Sequence, residues 1–134
     1  MKQRAISENH LYRKAYSGGR RAATASLCVY ILRDKKAFQL KKENPLKKNI
    51  NRVGISASKK IGGAVARNRA KRVIREAYRL IDTGIGIKKG NLVVIAARVP
   101  STVNKMQDVK RDLQYCLERL DMLENPEAQD KTNA

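Results

Sequence analysis

Apolar residues recur along this chain at two different periods, and the periods predict an order of elements. Residues 7–16 read as a short helix, with Ser7 placed to cap it and Ile6 and Leu11 at the two positions of a hydrophobic staple. Gly18-Gly19 ends it. Leu27-Cys28-Val29-Tyr30-Ile31-Leu32 is an unbroken apolar run of strand length, which suits a buried strand. Residues 33–50 are polar, with Pro45 and seven basic residues; residues 37–40 could add a short strand within a solvated loop. Val53, Ile55 and Ala57 then alternate with Arg52, Gly54, Ser56 and Ser58, the period-two pattern of a half-buried strand.

The clearest helical pattern covers residues 64–81. Ala66, Ala70, Val73, Ile74, Ala77, Tyr78 and Ile81 are three or four residues apart and form one apolar stripe, ending before Gly84 and Gly86. Leu92-Val93-Val94-Ile95-Ala96-Ala97 is a second continuous apolar strand, closed by Pro100. Ser101 or Thr102 is placed to cap a last helix, whose Met106, Val109, Leu113, Cys116, Leu117 and Leu120 share a face. The order is helix, two or three strands, helix, strand, helix. Strands 53–57 and 92–97 bracket a helix, which predicts a parallel βαβ unit with helices packed on a sheet. The expected domain is residues 1–123, followed by a disordered tail over 124–134 that has no apolar period.

Composition narrows the class. The 134 residues are 42% hydrophobic, enough for a core, and one domain of this length buries roughly two-thirds of its unfolded surface. That excludes full disorder. No stretch approaches about 18 uncharged apolar residues, so no membrane span is predicted. MKQRAISENH has no apolar core of a secretory signal, and the expected compartment is the cytoplasm. Cys28 and Cys116 lie in apolar runs without metal-ligand spacing, which predicts two buried, reduced thiols.

Charge changes the picture most. The net charge is +18, and residues 1–79 hold 22 basic and 4 acidic residues while residues 80–134 hold 8 of each. The whole surplus therefore lies in the first three-fifths of the chain. Such a field draws polyanions, nucleic acid first and an anionic membrane surface second. Between Lys59 and Arg79 stand eight basic residues and one acid, Glu76. Asn68, Arg72, Arg75 and Arg79 line a stripe at helical spacing, widened by Arg67 and Lys71 and expected beside the apolar face. Arginine forks bind phosphate oxygens in pairs. Lys59-Lys60-Ile61-Gly62-Gly63 forms a basic turn into the helix N-terminus, where free amides and the helix dipole also favour phosphate. Like charges at this spacing cost helix stability, which argues for a polyanion partner over a merely solvated face.

The run Arg52-Val53-Gly54-Ile55-Ser56-Ala57-Ser58-Lys59-Lys60-Ile61-Gly62-Gly63-Ala64-Val65-Ala66-Arg67-Asn68-Arg69-Ala70-Lys71-Arg72-Val73-Ile74-Arg75-Glu76 closely resembles the signature of the bacterial ribonuclease P protein subunit, with Arg67-Asn68-Arg69 as its RNR motif. Tyr12-Arg13-Lys14-Ala15-Tyr16 ahead of Gly19 resembles the family's aromatic segment, Leu27 to Leu32 its first strand, and Leu92 to Arg98 the strand after the RNR helix. The likeness spans roughly residues 7–120. It implies an α+β fold, a single-domain two-layer α/β sandwich in αβββαβα order with a left-handed βαβ crossover, against the usual hand. It also implies a role in removing the 5′ leader of precursor tRNA. In that enzyme the ribonuclease P RNA carries the active site and its Mg²⁺ ions, and the protein assists.

The residues agree with such a division. His10 is the sole histidine, and residues 1–79 contain only Glu8, Asp34, Glu43 and Glu76 as acids, so no general base or two-metal cluster is recognisable. No catalytic residue, organic cofactor, membrane or obligate protein partner is expected of the chain. Tyr12 and Tyr16 are one helical turn apart and Tyr30 lies in a strand. By their spacing they could equally be core residues with wet hydroxyls. The resemblance implies that they line a cleft for the single-stranded leader, by stacking on bases. It further implies that Lys59 and Lys60 lie near that cleft, and that Arg67, Asn68, Arg69, Lys71, Arg72, Arg75 and Arg79 contact RNA phosphates. The chain departs from the family in having tyrosine at positions 12 and 16, where phenylalanine is commoner, and in the small Ala66 and Ala70; Gly63 is expected to loosen the helix start. A ribosomal or other non-catalytic RNA-binding protein of similar fold is the main alternative.

Overall fold

A computed structural model describes residues 4–5, 9–33 and 51–124. In chain order it contains β1 (Arg4–Ala5), α1 (Asn9–Gly18), β2 (Arg20–Ala23), β3 (Leu27–Arg33), β4 (Arg52–Ser56), α2 (Ala64–Thr83), β5 (Asn91–Ala97) and α3 (Met106–Arg119), with 3-10 turns at Lys59–Ile61 and Val99–Thr102. The strands form one mixed sheet in the order β1-β4-β5-β3-β2. β4 and β5 pair in parallel, so the βαβ unit expected from the apolar pattern is present. β3 runs antiparallel to both β5 and β2. Apart from the two-residue β1, the order is the expected αβββαβα.

The sheet separates two apolar layers by strand alternation. Leu27, Val29 and Ile31 of β3, Val53 of β4 and Val93 and Ile95 of β5 point to one face and join the main core. There α2 supplies Ala70, Ile74, Ala77, Tyr78 and Ile81, and α3 supplies Val109, Leu113, Cys116 and Leu117. Each large aliphatic side chain fully buried there stabilises the fold by about 1.5–3 kcal/mol. On the opposite face Ala15 of α1 packs with Leu92 and Val94, flanked by the half-buried Tyr12, Tyr30 and Leu32. Leu120, Met122 and Leu123 are buried as well, and Leu123 bridges to Ile87. Both cysteines are free and buried, and burial above all pushes the Cys116 thiol up to about 12.

Three expectations change. A strand that the apolar pattern did not predict, β2, precedes β3; the strand expected at residues 37–40, like Ser7, Ile6 and the tail past Glu124, lies outside the described residues. β3 is accordingly the second strand of a hairpin. β2 escapes a periodicity search because only Ala22 of Arg20–Ala23 is buried. The last helix begins at Met106 after Lys105, without a side-chain cap. The Ser101 hydroxyl instead donates back to the Arg98 carbonyl at 2.6 Å and that of Thr102 to the Val99 carbonyl at 2.7 Å, which closes a 3-10 turn ahead of α3. At the entry to α2 the glycine with the demanding backbone is Gly62, at φ 150°; Gly63 is ordinary extended chain at φ −73°.

A buried asparagine ties the sheet to α2. Asn51 donates through Nδ2 to the Tyr78 hydroxyl at 3.0 Å and to the Lys88 carbonyl at 2.9 Å, and its Oδ1 accepts from the Asn91 amide at 3.0 Å. These bonds satisfy the one polar atom that the α2 stripe carries into the core. They also fix the start of β4, and with it the register of everything β4 presents on the other face.

Candidate nucleic-acid interface

The face of the sheet under α1 brings the three tyrosines together. One helical turn apart, Tyr12 and Tyr16 both project onto the strands. Tyr16 meets Tyr30 edge to face, with ring centroids 4.8 Å apart and an interplanar angle of 83°. The Tyr16 hydroxyl is hydrogen-bonded to Ser56 Oγ at 2.9 Å. Tyr12 lies over Gly54: a Cβ at that position would run into its hydroxyl oxygen and stand 2.8 Å from Cε1. Gly54 and Ser56 are thus successive seats on β4 for the two rings of α1. Tyr16 keeps 43% of its surface exposed, so the cluster is an open aromatic surface as well as a packing element.

Gly54→Ala is expected to preserve the strand while expelling the Tyr12 ring. The ring-proton shifts of Tyr12 report this, with circular dichroism as the control for the fold. Unchanged shifts would show that the ring does not depend on the missing Cβ.

The Tyr12 and Tyr30 hydroxyls of this surface remain protonated donors at neutral pH. Tyr12 is raised above the ordinary phenol range, first by burial and then by Tyr16. Tyr30 is raised first by its hydrogen bond with Cys28 and then by burial, while the charge of Arg21 pulls the other way. Arg21 pairs with Tyr30 in the β2–β3 register, and so adds a cation to the aromatic surface. Sequence reading missed Arg21, because only the hairpin places it there. Gly54 and Ser56 were visible as the outward half of an alternating strand, but their partners lie about 40 residues away.

The basic residues sort into distinct environments. Asn68, Arg72, Arg75 and Arg79 are exposed. At 3.6 residues per turn they lie on the side of α2 opposite Ala70, Ile74, Ala77 and Ile81, so the stripe faces away from the core and does not border the apolar face. Lys71 is half-buried and Arg67 likewise; the Arg67 Nε is buried with no hydrogen-bond acceptor among the described residues. Arg79 is paired with Glu76, its Nε donating to Oε2 at 3.1 Å and its second nitrogen to Oε1. That pair holds the Glu76 carboxyl below its usual range. One acid thus does relieve part of the repulsion along the stripe.

Arg69 is different in kind. Its guanidinium donates to the carbonyls of Ser101 at 3.2 Å and Asn104 at 2.9 Å, which fastens the turn before α3 to α2. The middle of the basic motif is therefore turned toward the protein at this residue, and Ser101 is fully buried beneath it.

The cleft and the basic stripe occupy opposite layers, since α1 and α2 pack on different faces of the sheet. They are joined by the segment after β4. Lys59 and Lys60, both exposed, begin three residues past Ser56, which keeps Lys59 within about 11 Å of the Tyr16 seat. Among the described residues, no three His, Cys, Asp or Glu side chains gather where they could hold a metal ion, and no helix is long and apolar enough to cross a membrane.

Comparison with known proteins gives the family. The family model described as Ribonuclease P matches residues 1–121. The ribonuclease P protein component of Clostridioides difficile (strain 630) is 36% identical over 120 residues, covering 89% of this chain and 93% of that one. That of Clostridium acetobutylicum is 36% identical over 110 residues, 82% of each chain. Among solved structures, the Staphylococcus aureus RNase P protein superposes with a TM-score of 0.70 at 26% identity, covering 90% of this chain and 98% of that one. The Thermotoga maritima RNase P protein shares the fold with a TM-score of 0.65 at 20% identity, covering 85% and 94%. These matches favour the ribonuclease P assignment over a ribosomal or other RNA-binding protein. With its RNR helix, tyrosine cluster and sheet order in place, this chain belongs to the bacterial ribonuclease P protein family, as a protein component of the ribonuclease P holoenzyme that associates with the ribonuclease P RNA.

Proposed function

We propose that the chain assists removal of the 5′ leader from precursor tRNA by binding two RNA strands on two surfaces. The single-stranded leader lies on Tyr12, Tyr16 and Tyr30, with Arg21, Lys59 and Lys60 at the phosphates. The exposed face of α2, through Asn68, Arg72, Arg75 and Arg79 with Arg67 and Lys71 at its flank, binds phosphates of the ribonuclease P RNA. Arg69 supports that surface from within. The observation that carries this reading is the convergence of three tyrosines from α1 and β3 on one open face, over glycine and serine of β4.

Physically, the described residues gather no cluster of His, Cys, Asp or Glu that could hold a metal ion at a phosphodiester, and they include many cations suited to holding its phosphate. Aromatic stacking accepts any base, at about 1–3 kcal/mol per base, and suits a leader whose sequence varies. Fixed arginines neutralise phosphates that would otherwise repel one another as catalytic RNA and substrate approach. The Mg²⁺ ions of the reaction belong to the RNA subunit, and the protein's part is to reduce the concentration needed. Its proposed compartment is the cytoplasm, and its proposed substrates are tRNA precursors.

Reconstitution with a bacterial ribonuclease P RNA tests this. At low Mg²⁺ the chain is expected to stimulate leader removal, and the protein without RNA is expected to cleave nothing. Cleavage by the chain alone, or no stimulation, would overturn the reading.

A further inference from the structure

We propose that the Tyr16–Ser56 hydroxyl pair is a hydrogen-bonding subsite within the stacking cleft, and that it takes a ribose 2′-hydroxyl of the bound strand. The inference rests on the leader-binding reading above and adds to it a contact that distinguishes RNA from DNA.

The chemistry of the pair points to that group. Two hydroxyl oxygens stand 2.9 Å apart, and either can be the donor. Whichever donates, the other keeps its own proton free, and both oxygens retain lone pairs. The pair therefore offers one donor and one acceptor side by side, and can reverse which oxygen plays which part. A 2′-hydroxyl is itself both donor and acceptor and matches such a pair in either sense. A base edge is the less suitable occupant. Bidentate reading of bases relies on side-chain amides, carboxylates or arginine forks held against the edge. The cleft-facing positions of the three central strands carry Cys28, Tyr30, Leu32, Arg52, Gly54, Ser56, Leu92, Val94 and Ala96, with no amide or carboxylate among them, and the single arginine, Arg52, is buried at the start of β4.

Position matters too. Tyr16 is 43% exposed and stands at right angles to Tyr30, so a base stacked beside these rings brings its sugar to the rim where the hydroxyl pair lies. The subsite exists here because residue 16 is tyrosine: phenylalanine would keep the ring contact and lose the bond to Ser56.

The test measures binding of precursor tRNA to the reconstituted holoenzyme with three substrates. One has an all-ribose leader, one a 2′-deoxy leader with ribose kept at the scissile linkage, and one no leader. The RNA subunit alone, run with the same substrates, supplies its own share of any ribose preference. The chain is expected to favour the ribose leader about two- to tenfold beyond that share, the worth of one hydrogen bond. Tyr16→Phe and Ser56→Ala should each bring the ratio down to that of the RNA subunit alone, and the double variant should lose nothing more. Tyr30→Ala should weaken both leaders alike.

A ribose preference unaltered in Tyr16→Phe would overturn the subsite. So would a variant that changed discrimination among leader sequences while leaving the ribose ratio intact, since the pair would then be reading bases. Equal binding of ribose and deoxy leaders, both tighter than the leaderless tRNA, would remove the subsite and leave leader binding standing. Binding of all three substrates alike would remove both.

Discussion

Raising the salt from about 50 to about 200 mM is expected to weaken binding to the ribonuclease P RNA several hundred-fold. Contact with about six phosphates gives a log–log slope of roughly −4 to −5. Arg72 and Arg75 are exposed on the outward face of α2, and each should contribute to that slope. Replacing both by alanine should shrink it by about 1.5 and leave the melting temperature nearly unchanged, because exposed substitutions away from packing cost little.

Arg69→Ala should behave in the opposite way. It removes a charged donor from two carbonyls, Ser101 and Asn104, which leaves the turn before α3 unfastened from α2. A cost of about 2–4 kcal/mol is expected, on the order of 10 °C in melting temperature, with the salt slope retained. Arg69→Lys should not restore it, since a single ammonium does not reproduce a fork that spans two acceptors. Melting curves and a salt titration of RNA affinity together decide the matter. If Arg69→Ala melts like the parent and loses about one unit of slope, Arg69 is a phosphate contact after all.

The second large effect concerns the cleft. Tyr16→Ala and Tyr30→Ala are each expected to weaken binding of leader-bearing tRNA about 5- to 100-fold, the worth of one stacked base. Binding of mature tRNA should be nearly unchanged. The two rings touch edge to face, so their losses should not add: removing either leaves the other less well oriented. Equal losses for precursor and mature tRNA would show that the tyrosines hold the fold or the catalytic RNA and do not hold a leader.

The two expectations reflect a division that charge counting alone does not make. A basic motif reads as one uniform patch, yet its members differ in what they face. Arg72 and Arg75 look outward, Arg79 is shared with Glu76, and Arg69 is held by the protein's own backbone. Replacing Arg69 and Arg72 together would mix a stability loss with an affinity loss, and the single substitutions are the informative ones.

Much of this protein was legible from its residues in order. Helices α2 and α3 follow from an apolar period of 3.6, strand β4 from a period of 2, and strands β3 and β5 from unbroken apolar runs, with the start of α3 the one boundary that moved by several residues. The RNR run identified the family, because twenty-five consecutive positions fix both the strand end and the helix start. The pairing of Tyr12 with Tyr16 followed from a single helical turn. In each case the information is local: the physical cause lies within a few residues of its effect.

What needed the tertiary structure is what depends on partners far along the chain. β2 is an edge strand with one buried residue, so it exists through its pairing with β3 and not through any pattern of its own. Arg69 finds its carbonyls 32 and 35 residues away, and Tyr16 finds Ser56 40 residues away. The basic stripe and the tyrosine cleft fall on opposite layers because α1 and α2 cover different faces of one sheet, a choice that no local spacing records. The sequence by itself determined which elements form and which chemical groups they carry. Only the packing of the sheet between its helices decided which of those groups are turned to solvent, which are held by the protein, and which stand close enough to act together.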